Sequence, residues 1–342
     1  MKYSKIKFLT FFAIICSVGL TPINDASAAT TFVDAKDVFA QEAFPQDVTF
    51  NTDGTKMFVV GSSGDEVNEY NCTAFDVSTC GFTDAFSVAV QETSPTGIAF
   101  NTDGTKMFVA GRTGQDVNEY ACTTGFDVST CGFTDAFSVA VQETSPTGIA
   151  FNTDGTKMFV AGRTGQDVNE YACTTGFDVS TCGFTDAFSV SAQETSPEGL
   201  AFNTDGTKMF VLGTAGNNVY EYACEAFDVD TCGFTDAFSV QDEDTSPRGL
   251  AFNTDGTKMF VTGDDGQDVN EYTLSVGFDL NVPVAETETT TSSSDCYDCK
   301  PPVLQSSHIT ILTNDYVVAT GDDIIHITAN VGDKVTVILN VT

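Results

Sequence analysis

The string Asn-Thr-Asp-Gly-Thr-Lys-Met-Phe decides how this chain of 342 residues folds, because it occurs five times. It begins at Asn51, Asn101, Asn152, Asn203 and Asn253, at intervals of 50 or 51 residues. In most units Ser-Pro-x-Gly-(Ile/Leu)-Ala-Phe precedes it. A glycine-rich loop, Val-Asn-Glu-Tyr, a cysteine loop and Asp-Ala-Phe-Ser-Val follow it. A repeat of this length indicates a propeller or a solenoid.

Each unit contains four short strand-like runs separated by turn residues. In the second unit they are Gly97–Phe100, Lys106–Ala110, Val117–Ala121 and Ala136–Val141. Gly104 lies between the first two runs, and glycine readily adopts the positive φ of a tight hairpin. Four antiparallel strands in about 50 residues are typical of a propeller blade. The alternative is a solenoid of β-arches, whose coils are usually shorter.

The two ends of the array complement each other. Ala35–Ala40 aligns with a fourth strand that lacks the three strands before it, whereas the last unit supplies three strands and ends near Val282. Pairing of the leading strand with the last unit would complete five blades and remove two exposed sheet edges. We therefore predict an all-β fold, a five-bladed β-propeller of four-stranded blades that an amino-terminal strand closes.

Residues 99–109, Ala-Phe-Asn-Thr-Asp-Gly-Thr-Lys-Met-Phe-Val, carry a resemblance to known proteins. They resemble the S-P-D-G-T-K-L-Y-V hairpin of many prokaryotic β-propeller repeat proteins, including YVTN-type surface-layer propellers. The resemblance covers residues 31–283 and implies a secreted prokaryotic propeller. It implies almost nothing about activity, because propellers carry many unrelated functions. Five near-identical blades also resemble the five-bladed lectins in architecture.

Differences in composition indicate further segments before and after the repeats. A lysine-rich start, an apolar run over Phe8–Leu20 and the small residues Ala26-Ser27-Ala28 are typical of a secretory signal peptide. No later run is apolar for about 18 residues, so we predict a secreted or cell-surface protein without a transmembrane span in the mature chain. The predicted segments are a signal peptide (1–29), the propeller (30–283), a Ser/Thr/Glu-rich linker (284–302) and a β-rich carboxyl-terminal segment (303–342). The last resembles the opening of an immunoglobulin-like or cupredoxin-like sandwich and is too short to complete one.

Ten cysteines follow the signal peptide, and an exported compartment favours disulfides. Four units carry a pair, whereas the fifth has Leu274 and Pro283 at the matching places. Loss of both cysteines together is what a bonded pair predicts. A lone Cys-x-x-Cys in the linker is interpreted as a small disulfide, with a redox or metal role as the alternative. The predicted bridges are Cys72–Cys80, Cys122–Cys131, Cys173–Cys182, Cys224–Cys232 and Cys296–Cys299.

The chain has 48 acidic and 14 basic residues, which gives a net charge of −34. Such a charge repels nucleic acid and attracts cations, so we expect no nucleic-acid partner. It also suits a protein in salty water, where screening weakens the repulsion between its own charges.

Asn71-Cys72-Thr73 and Asn340-Val341-Thr342 are acceptor triplets for glycosylation of Asn71 and Asn340.

One carboxylate lies three residues before the proline that recurs in every unit. Loops that lead into the innermost strands surround one mouth of a propeller channel, so these side chains are predicted to form a ring. Ca²⁺ takes oxygen ligands of this kind, and the alternative is five solvated side chains. The predicted cation ring consists of Glu42, Glu92, Glu143, Glu194 and Asp244. Arg112 and Arg163, in neighbouring loops of only two units, are interpreted as local surface variation.

The sequence gives little support for catalysis. Residues 30–307 contain no histidine, so a Ser-His-Asp triad cannot form inside the propeller. Near-identical blades favour several equivalent weak contacts with a multivalent surface. The predicted function is a non-catalytic binding or scaffold module, a monomeric propeller whose partner is an extracellular protein or glycan surface. Two alternatives stay open: a lectin-like glycan binder with one weak site per blade, and a calcium-dependent hydrolase or lactonase. No cofactor other than Ca²⁺ is predicted.

Overall fold

The computed structural model describes residues 30–280 and, in the carboxyl-terminal segment, residues 309–311, 319–321, 324–326 and 337–339. Residues 30–280 form five four-stranded antiparallel sheets. The innermost strands of successive sheets contact one another in a closed cycle, so that the sheets surround one axis as the blades of a propeller. The predicted all-β, five-bladed propeller is confirmed.

Each blade is a meander whose strands run from the channel outwards. The innermost strands are β2 (Pro45–Phe50), β6 (Pro95–Phe100), β10 (Pro146–Phe151), β14 (Pro197–Phe202) and β18 (Pro247–Phe252). The second strands are β3 (Lys56–Gly61), β7 (Lys106–Gly111), β11 (Lys157–Gly162), β15 (Lys208–Gly213) and β19 (Lys258–Gly263). The third strands are β4 (Glu66–Thr73), β8 (Asp116–Cys122), β12 (Asp167–Cys173), β16 (Asn218–Glu225) and β20 (Asp268–Leu274). The outermost strands are β5 (Asp76–Ser87), β9 (Cys131–Ser138), β13 (Cys182–Ser189), β17 (Asp228–Ser239) and, for the fifth blade, β1 (Thr30–Asp37). Single 3-10 turns at Val128–Thr130 and Val179–Thr181 precede β9 and β13.

The repeated string forms the hairpin between the first two strands of each blade. In the second blade the Asp103 carboxylate accepts the N–H of Thr105 at 3.0 Å, and the Asn101 amide oxygen accepts that of Lys106 at 2.9 Å. The φ of Gly104 is +72°, and a Cβ there would lie 2.3 Å from the ring of Phe126. The chemistry of this turn explains why Asn-Thr-Asp-Gly recurs without change.

The amino-terminal strand closes the ring, as predicted, by pairing with β20 along its whole length. The predicted position, Ala35–Ala40, is too late in the sequence. The chain leaves the strand and turns at Val38, whose carbonyl accepts the N–H groups of Gln41 and Glu42. The outermost strands of the other blades end before the same turn. The valine of Asp-Ala-Phe-Ser-Val therefore belongs to the turn and not to the strand.

Four predicted disulfides are confirmed: Cys72–Cys80, Cys122–Cys131, Cys173–Cys182 and Cys224–Cys232. Cys296 and Cys299 lie outside the described residues. In the fifth blade Leu274 takes the place of the first cysteine. The place of the second belongs to Thr30, because β1 supplies the outermost strand there and sets Thr30 opposite Leu274. The Thr30 hydroxyl donates to the Leu280 carbonyl at 2.7 Å where other blades have a bridge.

Apolar side chains are buried mainly between neighbouring blades. Five clusters each join one blade to the next, and one of them joins the fifth blade to the first. Between the first two blades the ring centroid of Phe58 lies 4.6 Å from that of Phe100 and 6.3 Å from that of Phe126. A single blade would expose both of its apolar faces, so the blades are stable only as neighbours in the ring.

A largely buried ion pair in each blade also binds the next blade. In the second blade the Lys106 ammonium lies 2.7 Å from the Glu119 carboxylate. Lys106 donates to the carbonyl of Phe177, and Glu119 accepts the N–H of Val179, both in the disulfide loop of the third blade. We name this arrangement the interblade clamp. It recurs at all five interfaces, with the pairs Lys56–Glu69, Lys106–Glu119, Lys157–Glu170, Lys208–Glu221 and Lys258–Glu271.

The carboxyl-terminal segment belongs to a separate compact unit, residues 287–342. Its described strands are β21 (Ile309–Ile311), β22 (Ala319–Gly321), β23 (Ile324–His326) and β24 (Val337–Leu339). β21 pairs with β24, and β22 pairs with β23, both antiparallel. Among the residues that the structure describes, no helix has the length and apolar character needed to cross a membrane.

Closure of the ring predicts that a fifth disulfide can be introduced. We expect the double variant T30C/L274C to form a bridge, because these residues face each other as the natural cysteine pairs do. The bridge would link the first strand to the last blade. In the loop-entropy model it stabilises the oxidised protein by up to about 5 kcal/mol. Mass spectrometry of alkylated protein and the denaturation midpoint with and without reductant would measure this. The single variants are the controls, and free thiols at both positions in the folded, oxidised protein would contradict the closure.

Candidate functional site

The five carboxylates of the predicted cation ring lie at the mouth where the innermost strands begin. They are buried, each at 1% exposure or less. Glu92 accepts the N–H groups of Ser94 at 2.6 Å, Thr113 at 3.1 Å and Gly114 at 2.9 Å. Equivalent bonds are made by Glu42, Glu143, Glu194 and Asp244. Each carboxylate therefore ties the loop before the first strand of its blade to the loop after the second.

Glycine at the end of each second strand leaves room for this anchor. A Cβ on Gly111 would lie 2.1 Å from the side chain of Glu92.

Within the described ranges, no three His, Cys, Asp or Glu side chains come together as a metal-binding group. Calcium binding by the ring stays a prediction. A higher melting temperature after Ca²⁺ is added to chelator-treated protein would support it, and an unchanged one would leave the loop anchor as its role.

A different set of side chains converges on the axis at this mouth. It comes from two positions at which the blades differ. The first position follows the proline that begins each innermost strand, and its residues are Gln46, Thr96, Thr147, Glu198 and Arg248. The second position follows the second strand of each blade, and its residues are Ser62, Arg112, Arg163, Thr214 and Asp264. Six of these side chains form one polar cluster, which we name the arginine mouth: Gln46, Arg112, Arg163, Glu198, Arg248 and Asp264. It contains all three arginines of the sequence.

Glu198 is the centre of the arginine mouth and is only 3% exposed. Arg248 donates to it at 2.9 Å, Arg112 reaches it at 3.4 Å from the second blade, and Arg163 also contacts it. Arg248 binds Asp264 as well, with N···O distances of 2.8 and 2.6 Å. The amide of Gln46 donates to Asp264 at 3.2 Å. The six side chains thus link all five blades across the channel. Some of the linked blades are not neighbours, such as the second and the fourth.

The cluster has more hydrogen-bond donors than its own acceptors use. Three guanidinium groups face two carboxylates, and the Nε atoms of Arg112 and Arg163 are buried without a partner. Burial and the positive charge of Arg163 lower the pKa of Arg112. Burial also opposes the charge on Arg248, but Glu198 and Asp264 outweigh it and raise the pKa of that group. The guanidinium groups of the cluster therefore offer more N–H donors than its two carboxylates pair with.

Asp47 lies one residue further along β2, deeper in the channel. The other four innermost strands have glycine there, and a Cβ on Gly97 would lie 2.5 Å from the carbonyl oxygen of Thr147. Asp47 is 5% exposed and accepts the N–H groups of Val48 and Ile98, each at 2.9 Å. Burial raises the pKa of Asp47 to about 7, and the backbone hydrogen bonds oppose that shift. At this level of the innermost strands, a single carboxyl group therefore breaks the symmetry of the channel.

Most of this site was not predicted from the sequence. Arg112 and Arg163 were interpreted as surface variation, and that interpretation is wrong because both contact Glu198. Asp47, Glu198 and Arg248 were not singled out. The signal that could have found them is the variable residue of Ser-Pro-x-Gly and the loss of its glycine in the first unit. These positions are about 50 residues apart and meet only when the ring closes.

The two predicted glycosylation positions lie away from the arginine mouth in the sequence. Asn71 is exposed on β4, next to the disulfide-bonded Cys72. Asn340 lies outside the described residues. Glycosylation of either residue stays a prediction.

Fold and site define a disulfide-stapled, five-bladed β-propeller with an asymmetric polar mouth. No protein-family model and no curated protein matches the chain. Among solved structures it is similar to a functionally unknown protein from Desulfotomaculum acetoxidans, with 14% identity, a TM-score of 0.42 and coverage of 64% of this chain and 62% of that one. It is also similar to the Cps50 (Swd1) β-propeller domain of Myceliophteria thermophila, with 10% identity, a TM-score of 0.43 and coverage of 72% and 99%. A luciferin-regenerating enzyme has 11% identity, a TM-score of 0.44 and coverage of 72% and 96%. The chain thus spans less than two thirds of the Desulfotomaculum protein, and similarities at this level carry no function across.

The pKa of Asp47 predicts a pH-dependent loss of stability. A carboxyl group whose pKa is raised on folding favours the folded state when protonated, so its penalty grows as the pH rises from about 4 to 7. We expect the free energy of unfolding of D47N to exceed that of the wild type by ~3 kcal/mol at pH 8. At pH 4 the two free energies are expected to differ little. Denaturant titrations at the two pH values would measure this. D84N is the matched control, because Asp84 accepts a similar local N–H bond on the exposed side of β5. A D47N effect that is equal at both pH values would contradict the prediction.

Proposed function

We propose that this protein is a secreted or cell-surface binding module without catalysis, and that it holds an extracellular glycan at the arginine mouth. One observation carries the proposal: side chains that differ between near-identical blades converge on one place. A propeller needs five similar blades for its core, and the core gives no reason for this convergence. A single composite site is what a specific ligand requires.

The chemistry of the cluster suits sugar hydroxyl groups. Guanidinium, carboxylate and amide groups are planar and present paired donors or acceptors, which match the neighbouring hydroxyls of a sugar ring. The three arginines and two carboxylates nearly cancel in charge, so a neutral ligand suits them better than an acidic polymer, which the net charge of −34 would repel.

An aromatic side chain stands at the same mouth. Phe44, directly before β2, is 52% exposed. Four other units have serine at this place: Ser94, Ser145, Ser196 and Ser246. An exposed aromatic ring next to the strand that carries Gln46 offers the apolar side of a sugar ring a surface to stack on. The first blade thus departs from the repeat in a direction that suits the proposed ligand.

This proposal differs from a lectin with one weak site per blade. Sites repeated in every blade need equivalent residues in every blade, but Glu198, Arg248 and Asp264 each occur once among their equivalents. One ligand per molecule is therefore expected. The four disulfides support an oxidising, extracellular setting.

The experiment is a glycan array probed with the full mature protein, followed by calorimetry on the best neutral glycan. We expect 1:1 binding and at least a tenfold loss of affinity in R112T/R163T, which introduces the threonine that the fourth blade has as Thr214. F44S is expected to weaken binding as well, because it removes the stacking surface. F82S is the matched control, since Phe82 has a similar exposure of 46% on the outermost strand β5.

Two results would overturn the proposal. An array without neutral glycan hits would remove the ligand class, and equal affinity of R112T/R163T and wild type would remove the site. The calcium-dependent hydrolase stays a second proposal that metal analysis can test. A stoichiometric divalent ion in the purified protein would support it, whereas the glycan proposal requires none.

A further inference from the structure

A cavity of about 320 Å³ occupies the channel on the other side of Asp47. It opens at the mouth where the innermost strands end, and we name this the hairpin mouth because the Asn-Thr-Asp-Gly turns surround it. Each innermost strand contributes a branched aliphatic residue to its wall: Val48, Ile98, Ile149, Leu200 and Leu250. A volume of this order is that of a small-molecule site.

Asp47 lies at the inner end of this cavity. The backbone N–H groups of Val48 and Ile98, with a smaller contribution from that of Leu250, occupy part of its hydrogen-bonding capacity, but a carboxylate has about four acceptor positions. None of the ion pairs formed within residues 30–280 includes Asp47. A buried carboxylate without a cation is unfavourable, and a cationic ligand would correct this.

The hairpin mouth carries a ring of negative charge. Each Asn-Thr-Asp-Gly turn places one exposed aspartate there: Asp53, Asp103, Asp154, Asp205 and Asp255. Hydrogen bonds from threonine side chains lower the pKa of each, so that all five are ionised at neutral pH. The mouth is also closed into a regular ring, because the Thr52 hydroxyl donates to the Thr102 carbonyl and so on around the axis to Thr254 and back. Such a rim concentrates cations at the entrance.

We propose that this cavity binds a small aliphatic amine, with the ammonium group on Asp47 and the hydrocarbon chain against the aliphatic residues of the innermost strands. The order of chemistry along the axis fits this ligand: a negative rim, an apolar wall and one carboxylate at the end. A divalent metal ion fits less well, since Ca²⁺ takes six to eight oxygen ligands and the cavity offers one carboxylate. This site is independent of the arginine mouth and of the glycan proposed there.

The test is isothermal titration of the full mature protein with n-hexylamine, n-hexanol and sodium hexanoate. We expect hexylamine to bind 1:1 and the alcohol and the acid, which share its chain, to bind at least tenfold more weakly. D47N and D47G are expected to weaken hexylamine binding at least tenfold. D47G introduces the residue that the other four blades have, so the fold is expected to tolerate it. D84N, which removes an exposed carboxylate, is the matched control and should bind like the wild type.

Three outcomes would overturn the proposal. The first is no saturable binding of hexylamine to the folded wild type. The second is equal affinity of D47N and wild type, and the third is hexanol that binds as tightly as hexylamine. Because the glycan experiment uses other variants and another ligand, either proposal can fail while the other stands.

Discussion

The interblade clamp is the interaction on which the rest of the propeller depends. Its glutamate is almost completely buried, and a buried carboxylate is tolerated only when its partners are complete. In the second blade Glu119 receives the Lys106 ammonium, the Thr134 hydroxyl and the N–H of Val179 from the next blade. In an open array the last glutamate would lack the partner that the first blade supplies. Satisfaction of five buried charges therefore requires closure.

The clamp also explains why the two ends of the channel differ. It holds the loop after the third strand of each blade, which carries a disulfide in four blades, against the second and third strands of the blade before, near the hairpin mouth. Changes in those loops would disturb an interface, and the segment that receives the clamp recurs as Phe-Asp-Val or Phe-Asp-Leu in all blades. At the opposite mouth the loop anchors, such as Glu92, act within one blade and leave neighbouring positions free to vary. The residues that differ between blades therefore lie mainly at this mouth, away from the interblade clamp.

The sequence determined most of the fold because the fold is local. Turn residues, strand patterns and cysteine pairs lie within one repeat, so the blades and four disulfides were predictable. The closing strand was predictable from the unpaired fourth-strand pattern at the start of the array, but its bounds were not. The Thr30 counterpart of the missing cysteine was not, because it comes from the other end of the chain. The carboxylates of the predicted ring were recognised, but spacing alone does not show that Glu92 points into backbone N–H groups. Arg112 and Glu198 lie 86 residues apart, and only the closed ring brings them together.

The channel contains charges that the fold itself does not need. The other four blades have glycine where the first has Asp47, and their innermost strands pack closely at this position. The aspartate brings a carboxyl group into a site where burial raises its pKa, which disfavours the folded state at neutral pH. Glu198 likewise replaces a small threonine of two other blades and needs three arginines around it. Residues that weaken or complicate a repeat architecture at its axis are better explained by ligands than by stability.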